Sequence, residues 1–170
     1  MSNAPLLGLY RGTVSNNVDP EQRGRILAIV PDATGPLPGS WAMPCLPAAG
    51  INTGVFTVPM VGSGVWIQYE RGDIDRPVWL GGYWGSAAEV PATAHLIPPG
   101  MTGFAIQTQL KNGIVISDVP GPTGGILIQT ATGAMISVSD TGIIISNGKG
   151  ATINMTGPTV DVNLGALTII

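Results

Sequence analysis

The C-terminal part of the chain repeats a short unit in which apolar, mostly β-branched residues alternate with small polar ones and a turn containing glycine follows. The unit recurs at 113–118, 125–130, 135–142, 143–150, 151–157, 159–163 and 167–170. Alternation over four or five residues is typical of a β-strand with one apolar face. A short fixed period indicates a stacked solenoid.

The length of the repeat also bears on the number of chains. One strand and its turn make a single wall of a prism, so a β-helix closed by one chain needs roughly three walls and a repeat nearer twenty residues. After Gly133 the step is only about eight or nine residues. We therefore expect three copies to wrap about a three-fold axis as an intertwined trimer, burying their apolar faces and pairing strand edges between chains.

Alternation within the repeats predicts which side chains form the core of this trimer. They are Ile126, Ile128, Ile136, Val138, Ile153, Met155, Val160 and Val162. Three consecutive isoleucines, 143–145, leave the facing of that strand ambiguous.

The N-terminal region, residues 1–86, contains five short candidate strands separated by loops rich in glycine and proline. They lie at 7–14, 24–30, 41–46, 64–70 and 77–84. Five strands of this length favour a small barrel of the OB type. Trp66, Trp79 and Trp84 fall in the last two strands, and we expect them to fill the barrel rather than a subunit contact.

Between the two regions, residues 87–100 are rich in proline and alanine and predict an extended connector. The repeat region, 101–170, contains only five charged residues, so its strands need to be covered by other copies to avoid aggregation. The 25 glycines and 15 prolines of the chain disfavour helices. The fold class predicted is all-β.

Most chemical signatures are missing. His95 is the only histidine, which argues against a catalytic triad or a histidine metal site within one chain, although a three-fold axis would assemble three copies of it. Asp73 and Asp75 lie beside Arg71 and Arg76, which favours local ion pairing over cation binding. The single cysteine, Cys45, is expected to be a buried, inert thiol. We expect no enzymatic activity, metal or cofactor.

The charge pattern excludes further classes. The net charge is −3, and all five arginines precede residue 80, interleaved with acidic residues, so nucleic-acid binding is not expected. The first five residues lack the basic start and apolar core of a signal peptide, and no apolar run is long enough to span a bilayer. Assembly in the producer cytoplasm is the expectation.

Several motifs, in order along the chain, resemble those of the baseplate assembly protein V and VgrG spike family. They are Tyr10-Arg-Gly-Thr-Val14, the run 19–31 that begins Asp-Pro-Glu-Gln-Arg-Gly-Arg, Trp41-Ala-Met-Pro44, Pro47-Ala-Ala-Gly50, the run 59–73 and Arg76-Pro-Val-Trp-Leu-Gly-Gly82. The repeats down to 160–163 and 165–169 resemble the trimeric β-helix of the same family. The similarity spans essentially the whole chain.

The resemblance implies the central spike of a contractile injection machine, such as a phage tail, a tailocin or a type VI-like system. In that family the OB domains sit on a hub at the end of the inner tube, the β-helix is driven through the target cell envelope, and a PAAR-like tip protein caps the point. The chain has no room for hub domains, so the hub is expected to be a separate protein. It also lacks the lysozyme domain and the iron-binding His-x-His motif of some relatives.

The final segment, Leu167, Thr168, Ile169 and Ile170, is apolar, whereas solenoids are usually capped by a polar segment. We expect it to dock a tip protein, the alternative being a frayed end. Two other functions are weighed. A trimeric tail fibre or receptor-binding adhesin would be expected to add a distal globular head, and a spike-associated hydrolase would require a catalytic set.

Overall fold

The computed structural model describes residues 5–169, and for Thr168 and Ile169 it describes only the backbone. The chain divides into two compact units, Met1–Glu89 and Val90–Ile170. Both are built from strands, and the longest α-helix among the described residues is the four-residue α1, Pro31–Thr34. The all-β prediction is confirmed.

The first unit is a small β-barrel. Its strands are β1 Tyr10–Asn16, β2 Leu27–Ile29, β3 Met43–Pro44, β6 Gly64–Tyr69 and β7 Pro77–Tyr83, and a two-residue hairpin, β4 Ala49–Gly50 with β5 Thr53–Gly54, lies between them. The five-stranded sheet has the order β2-β1-β6-β7-β3, with β3 parallel to β7. Reciprocal backbone hydrogen bonds between Ile26 and Ala42, 3.2 and 2.8 Å long, join its two ends and close the barrel.

The barrel interior is filled by the inward-facing residues of these strands. Val14, Ile26, Val65 and Ile67 are at most 1% exposed and form its centre. Alternation along β6 explains the choice, because Val65, Ile67 and Tyr69 point inward while Gln68 faces solvent. This arrangement is the OB-type barrel that the five predicted strands indicated.

The tryptophans do not all fill the barrel, and this expectation was wrong for two of the three. Trp79 is buried, and its indole N–H donates to the carbonyl of Gly24 at 3.0 Å. Trp66 is only half-buried and packs on Tyr83, with the Arg11 guanidinium 5.4 Å from each ring centroid. Trp84 is 61% exposed, because β7 ends at Tyr83 and Trp84 therefore lies just outside the sheet.

Cys45 is exposed, so the prediction of a buried thiol was also wrong. Its backbone N–H donates to the carbonyl of Trp79 at 2.9 Å. The residue therefore continues the pairing of β3 with β7 at the rim of the sheet, where the side chain is left outside the core.

The segment between the predicted regions is not fully extended. It contains two 3-10 helices, Ala87–Glu89 and Ala92–Leu96. The second belongs to the second unit and packs on its first strands, where the Thr93 N–H donates to the side-chain oxygen of Gln107 at 3.2 Å. Backbone hydrogen bonds within the turn, from the Ala94 N–H to Pro91 and from the Ile97 N–H to Ala94, pair polar groups that an extended segment would leave without a local partner.

The second unit is an eight-stranded antiparallel sheet in which every strand pairs with its neighbour in sequence. The strands are β8 Gly103–Gln107, β9 Gly113–Ser117, β10 Gly125–Gln129, β11 Met135–Ser139, β12 Gly142–Ser146, β13 Thr152–Thr156, β14 Thr159–Val162 and β15 Leu167–Ile169. These agree closely with the repeats found in the sequence.

Strand pairing within the chain differs from the expected interchain pairing of an intertwined trimer. The turns are short and carry their own hydrogen bonds, so each strand folds back on the one before it. In the turn 147–151, for example, the side-chain oxygen of Asn147 accepts from the N–H groups of Lys149 and Ala151 at 2.8 and 3.1 Å. Other chains are thus not needed to complete these ladders of backbone hydrogen bonds.

Candidate assembly surface

One face of the eight-stranded sheet is entirely apolar. Directly opposed residues in antiparallel strands share a face, so the register defines two columns of side chains that run across the sheet. The first contains Phe104, Ile116, Ile126, Val138, Ile143, Met155 and Val160, and the second contains Ile106, Ile114, Ile128, Ile136, Ile145, Ile153, Val162 and Leu167. We call these fifteen residues the apolar face.

The apolar face is open to solvent in the single chain. Eleven of its side chains are between 38 and 54% exposed, and the other four are half-buried. An apolar surface of this extent is rare on a monomeric protein and marks an interaction site. The eight residues predicted to form the trimer core all lie on this face.

The register of β12 resolves the three isoleucines that the sequence left ambiguous. Ser139 pairs with Gly142 across the two-residue turn 140–141, so Ile143 lies opposite Val138 and Ile145 lies opposite Ile136. Both belong to the apolar face, while Ile144 lies opposite Ser137 on the reverse face. Ile144 and Ile145 are nevertheless almost equally exposed, at 37 and 40%.

The reverse face changes character along the sheet. Its central column runs through Ala105, Val115, Leu127, Ser137, Ile144, Asn154 and Asp161. The 3-10 helix Ala92–Leu96 contacts β8 and β9, and Val115 is only 4% exposed. Towards β14 the column becomes polar, as expected for a surface that faces water.

The turns of the sheet lie on two long edges and contact one another along each edge. On one edge are the turns 108–112, 130–134, 147–151 and 163–166, and the Ala131 N–H donates to the side-chain oxygen of Asn112 at 3.1 Å between two of them. On the other are 118–124, 140–141 and 157–158, and the Gly121 N–H donates to an Asp140 carboxylate oxygen at 3.2 Å.

The four residues predicted to dock a tip protein lie at the end of the sheet. Leu167 belongs to the apolar face and is 54% exposed, and the backbone of Leu167–Ile169 forms β15, the outermost strand, paired with β14. The side chains of Thr168 and Ile169 and the whole of Ile170 lie outside the described residues. The outer backbone edge of β15 has no partner among residues 5–169.

The remaining candidate residues form no reactive arrangement in the part of the chain that the structure describes. His95 is exposed, and no group of three His, Cys, Asp or Glu side chains is placed to hold a metal ion. Arg76 lies 3.7 Å from Glu70 in the exposed loop of Asp73 and Asp75. The local ion pairing predicted there is found for Arg76 with Glu70 only, because among the described residues Asp73 accepts from the Asp75 N–H and Asp75 accepts from the Ser40 hydroxyl.

An ion pair that the sequence analysis did not identify lies in the loop before β2. The Arg25 guanidinium contacts Asp19 at 2.7 Å, with 13% of the Arg25 side chain and 3% of the Asp19 side chain exposed. Hydrogen bonds from Arg25 hold the pKa of Asp19 well below its usual value despite the opposing effect of burial, and backbone N–H donors add to the lowering. The acidic and basic residues within 19–25 indicate that ion pairs can form there. Which acidic residue pairs with which arginine depends on the loop conformation.

Within residues 5–169, no helix is both long and apolar enough to cross a membrane.

Family models match both units of the chain. Residues 10–84 match the model described as the type VI secretion system/phage-baseplate injector OB domain, and residues 103–168 match the phage baseplate V C-terminal trimerisation domain. A comparison with curated proteins found no match. The first match agrees with the closed barrel, and the second supports a homotrimer.

Proposed function

The chain belongs to the phage baseplate V family of injector proteins, and on this premise we propose that it is the central spike of a contractile injection machine. In this proposal three copies pack their apolar faces against one another to form a triangular prism. The observation that carries it is the continuous apolar face of fifteen residues on a sheet whose strands are already paired within the chain.

The energetics favour burial of this face by other copies. Fully burying one aliphatic side chain is worth about 2 kcal/mol, and the eleven exposed side chains are already about half-buried. Completing their burial is therefore worth roughly 10 kcal/mol per chain. That is comparable to the estimated cost of association, about 4–15 kcal/mol. Three equivalent faces around an axis enclose a dry core. A face-to-face pair of sheets would also cover the apolar face, so the number three rests on the match to the trimerisation domain.

The mechanical role follows from the same arrangement. Force along the prism axis would be carried across the antiparallel ladders of each wall and by the close-packed core between walls. The machine drives this prism through the target cell envelope on sheath contraction. The matched families are structural baseplate domains, and the proposal assigns no catalytic step, metal or cofactor to this chain.

We place the barrel unit on a separate hub protein at the end of the inner tube, as the resemblance to the spike family implies. We place a PAAR-like tip protein at the β15 end of the eight-stranded sheet, against Leu167, Thr168, Ile169 and Ile170. The support for the tip is the exposed Leu167 and the outer backbone edge of β15, which is available for pairing with another strand. The protein would thus be a component of a phage tail or a phage tail-like particle.

Neighbouring isoleucines on β12 test the trimer. The native mass of the full chain, measured by light scattering after gel filtration, is expected to be that of a trimer. Ile145→Asp places a charge on the apolar face and should abolish the trimer, whereas Ile144→Asp, equally exposed in the single chain but on the reverse face, should retain it. A monomeric parent protein, or loss of the trimer in both variants, would refute the packing proposed here.

A truncation tests the tip. Removal of residues 167–170 should leave the native mass trimeric and abolish capture of a purified PAAR-like protein. A Leu164→Ser variant is the control, because Leu164 is 92% exposed in the adjacent turn and should not alter capture. Undiminished capture by the truncated protein would overturn the docking proposal.

A further inference from the structure

Four of the five Lys and Asp residues of the second unit are segregated between the two long edges of the sheet, and the fifth, Asp161, lies within β14 on the reverse face. Lys111 and Lys149 lie in the turns 108–112 and 147–151, and Asp118 and Asp140 lie in the turns 118–124 and 140–141. Because successive turns of an antiparallel meander alternate between edges, both lysines fall on one edge and both aspartates on the other. We call these the Lys edge and the Asp edge.

The charges also match in their position along the direction in which the strands are stacked, which we call height. Lys111 and Asp118 flank the two ends of β9, and Asp140 and Lys149 flank the two ends of β12. Each of these strands therefore carries a lysine at its Lys edge and an aspartate at its Asp edge. In copies related by rotation about a common axis, β9 of one copy lies at the same height as β9 of the next.

Within one chain these charges have no opportunity to neutralise each other. A five-residue strand is about 17 Å long, which keeps the two edges apart. Among residues 5–169, the ion pairs involve Arg23, Arg25 and Arg76 of the barrel unit and none of the four edge residues. The opposite charges of the two edges therefore remain available to a partner.

Cyclic symmetry determines which edges meet. In a closed ring of three copies each interface is heterologous, so one edge of every copy contacts the other edge of its neighbour. Resting on the trimer proposed above, we propose that the Lys edge of each copy docks against the Asp edge of the next copy of this chain. Lys111 then pairs with the neighbour's Asp118, and Lys149 pairs with the neighbour's Asp140.

This edge pairing specifies the orientation of the copies. If one copy is rotated by 180° about the normal to its sheet, its apolar face still points toward the axis. Its Lys edge and its Asp edge, however, change places. The rotated copy would place lysine against lysine on one side and aspartate against aspartate on the other, which is unfavourable. The apolar face alone cannot make this distinction, since its two columns of side chains are similar in both directions.

Lys111 and Asp118 are the suitable pair for a test, because neither side chain makes a hydrogen bond within residues 5–169, whereas Asp140 accepts one from Gly121. Lys111 has a positive φ of 66°, which aspartate adopts more readily than most residues. Lys111→Asp and Asp118→Lys each create three like-charge contacts in the trimer. The double variant K111D/D118K restores three opposite-charge contacts with reversed polarity.

The measurement is the thermal unfolding midpoint (Tm) of the second unit, followed by far-UV circular dichroism at low and high salt. The native mass is determined in parallel. We expect each single variant to lower Tm by about 2–5 °C at low salt, and the double variant to recover most of this loss. In about 1 M salt, where the Debye length is about 3 Å, the differences should largely disappear.

Two failures are distinguishable. If the parent protein is monomeric, the trimer proposal fails, and the edge pairing fails with it. If the parent is trimeric but the losses of the two single variants simply add in the double variant, or do not respond to salt, the trimer stands and the edge pairing is refuted.

Discussion

Asp19 and Arg25 form a nearly buried ion pair, joined by two hydrogen bonds, in the loop that leads into β2. One carboxylate oxygen of Asp19 accepts from the Arg25 Nε and Nη2 atoms at 3.0 and 2.7 Å. The other accepts from the backbone N–H groups of Arg23 and Arg25 at 2.8 and 3.2 Å. The Arg25 guanidinium also lies 5.5 Å from the ring centroid of Trp41. The pair therefore fixes the loop conformation at the closing seam of the barrel.

Substitution of Asp19 by asparagine should destabilise the barrel in a pH-dependent way. The folded-state pKa of Asp19 is lowered, chiefly by the Arg25 hydrogen bonds. Its stabilisation is therefore complete above the unfolded-state value of about 3.9 and is lost as the pH falls below it toward the folded pKa. We expect Asp19→Asn to lower the barrel Tm by several degrees at pH 7, and this difference from the parent protein to shrink progressively as the pH falls below about 4 toward the folded pKa.

Tryptophan fluorescence is the appropriate probe for this measurement, since all four tryptophans lie in the barrel unit. Glu21→Gln is the control, because Glu21 contacts the same arginines but its side chain is 52% exposed. Its effect should be much smaller. A gap between Asp19→Asn and the parent that stayed constant from pH 7 to pH 3 would contradict the assigned role.

Removal of the Trp79 indole N–H should weaken the barrel, because the carbonyl of Gly24 would lose a buried hydrogen bond. Trp79→Phe is expected to cost about 1–3 kcal/mol in the free energy of unfolding, measured by urea denaturation. Trp84→Phe alters a side chain that is 61% exposed and should stay within about 0.5 kcal/mol of the parent. Equal effects of the two substitutions would show that Trp79 has no special role.

Two glycines in one turn provide a matched test of how turns stack along the Lys edge. A Cβ at Gly148 would lie 2.7 Å from backbone atoms of Thr132, Gly133 and Ala134 in the neighbouring turn, whereas a Cβ at Gly150 meets nothing within 4 Å. Both residues have positive φ, 71° and 103°. Gly148→Ala should therefore lower the free energy of unfolding of the second unit by at least about 1 kcal/mol more than Gly150→Ala does, as measured by circular dichroism.

The thiol of Cys45 should react with a thiol-specific reagent in the native protein, one equivalent per chain, because its side chain is exposed. The expected rate is close to that of the same protein in denaturant. A thiol that reacted only after denaturation would mean that another copy or a partner covers this rim of the barrel. Labelling followed by mass spectrometry distinguishes the two outcomes.

Much of the assembly surface could be predicted from the sequence. The eight residues proposed for the trimer core share one face because side chains alternate along any strand, whatever its neighbours are. Likewise, the five strands of the barrel could be located, since each is an apolar run between glycine- or proline-rich loops. These are local properties, set within a few residues of the chain.

The remaining features depend on which segments meet. The assignment of Ile143 and Ile145 to the apolar face required the register of β12, which the two-residue turn 140–141 fixes through the pairing of Ser139 with Gly142. Similarly, the exposure of Trp84 and Cys45 depends on where the sheet ends, and neither position has a local signature.

The sequence by itself determined the repeated strands, the alternation that gives each an apolar side and the scarcity of charge that makes this side need a partner. Only the tertiary structure decided that each strand pairs with its own neighbour, that Asp19 reaches Arg25 and that the lysine turns share one edge of the sheet while the aspartate turns share the other. The physical reason is that alternation follows from the geometry of a single strand. Register, burial and charge proximity instead arise from contacts between segments that turn lengths bring together.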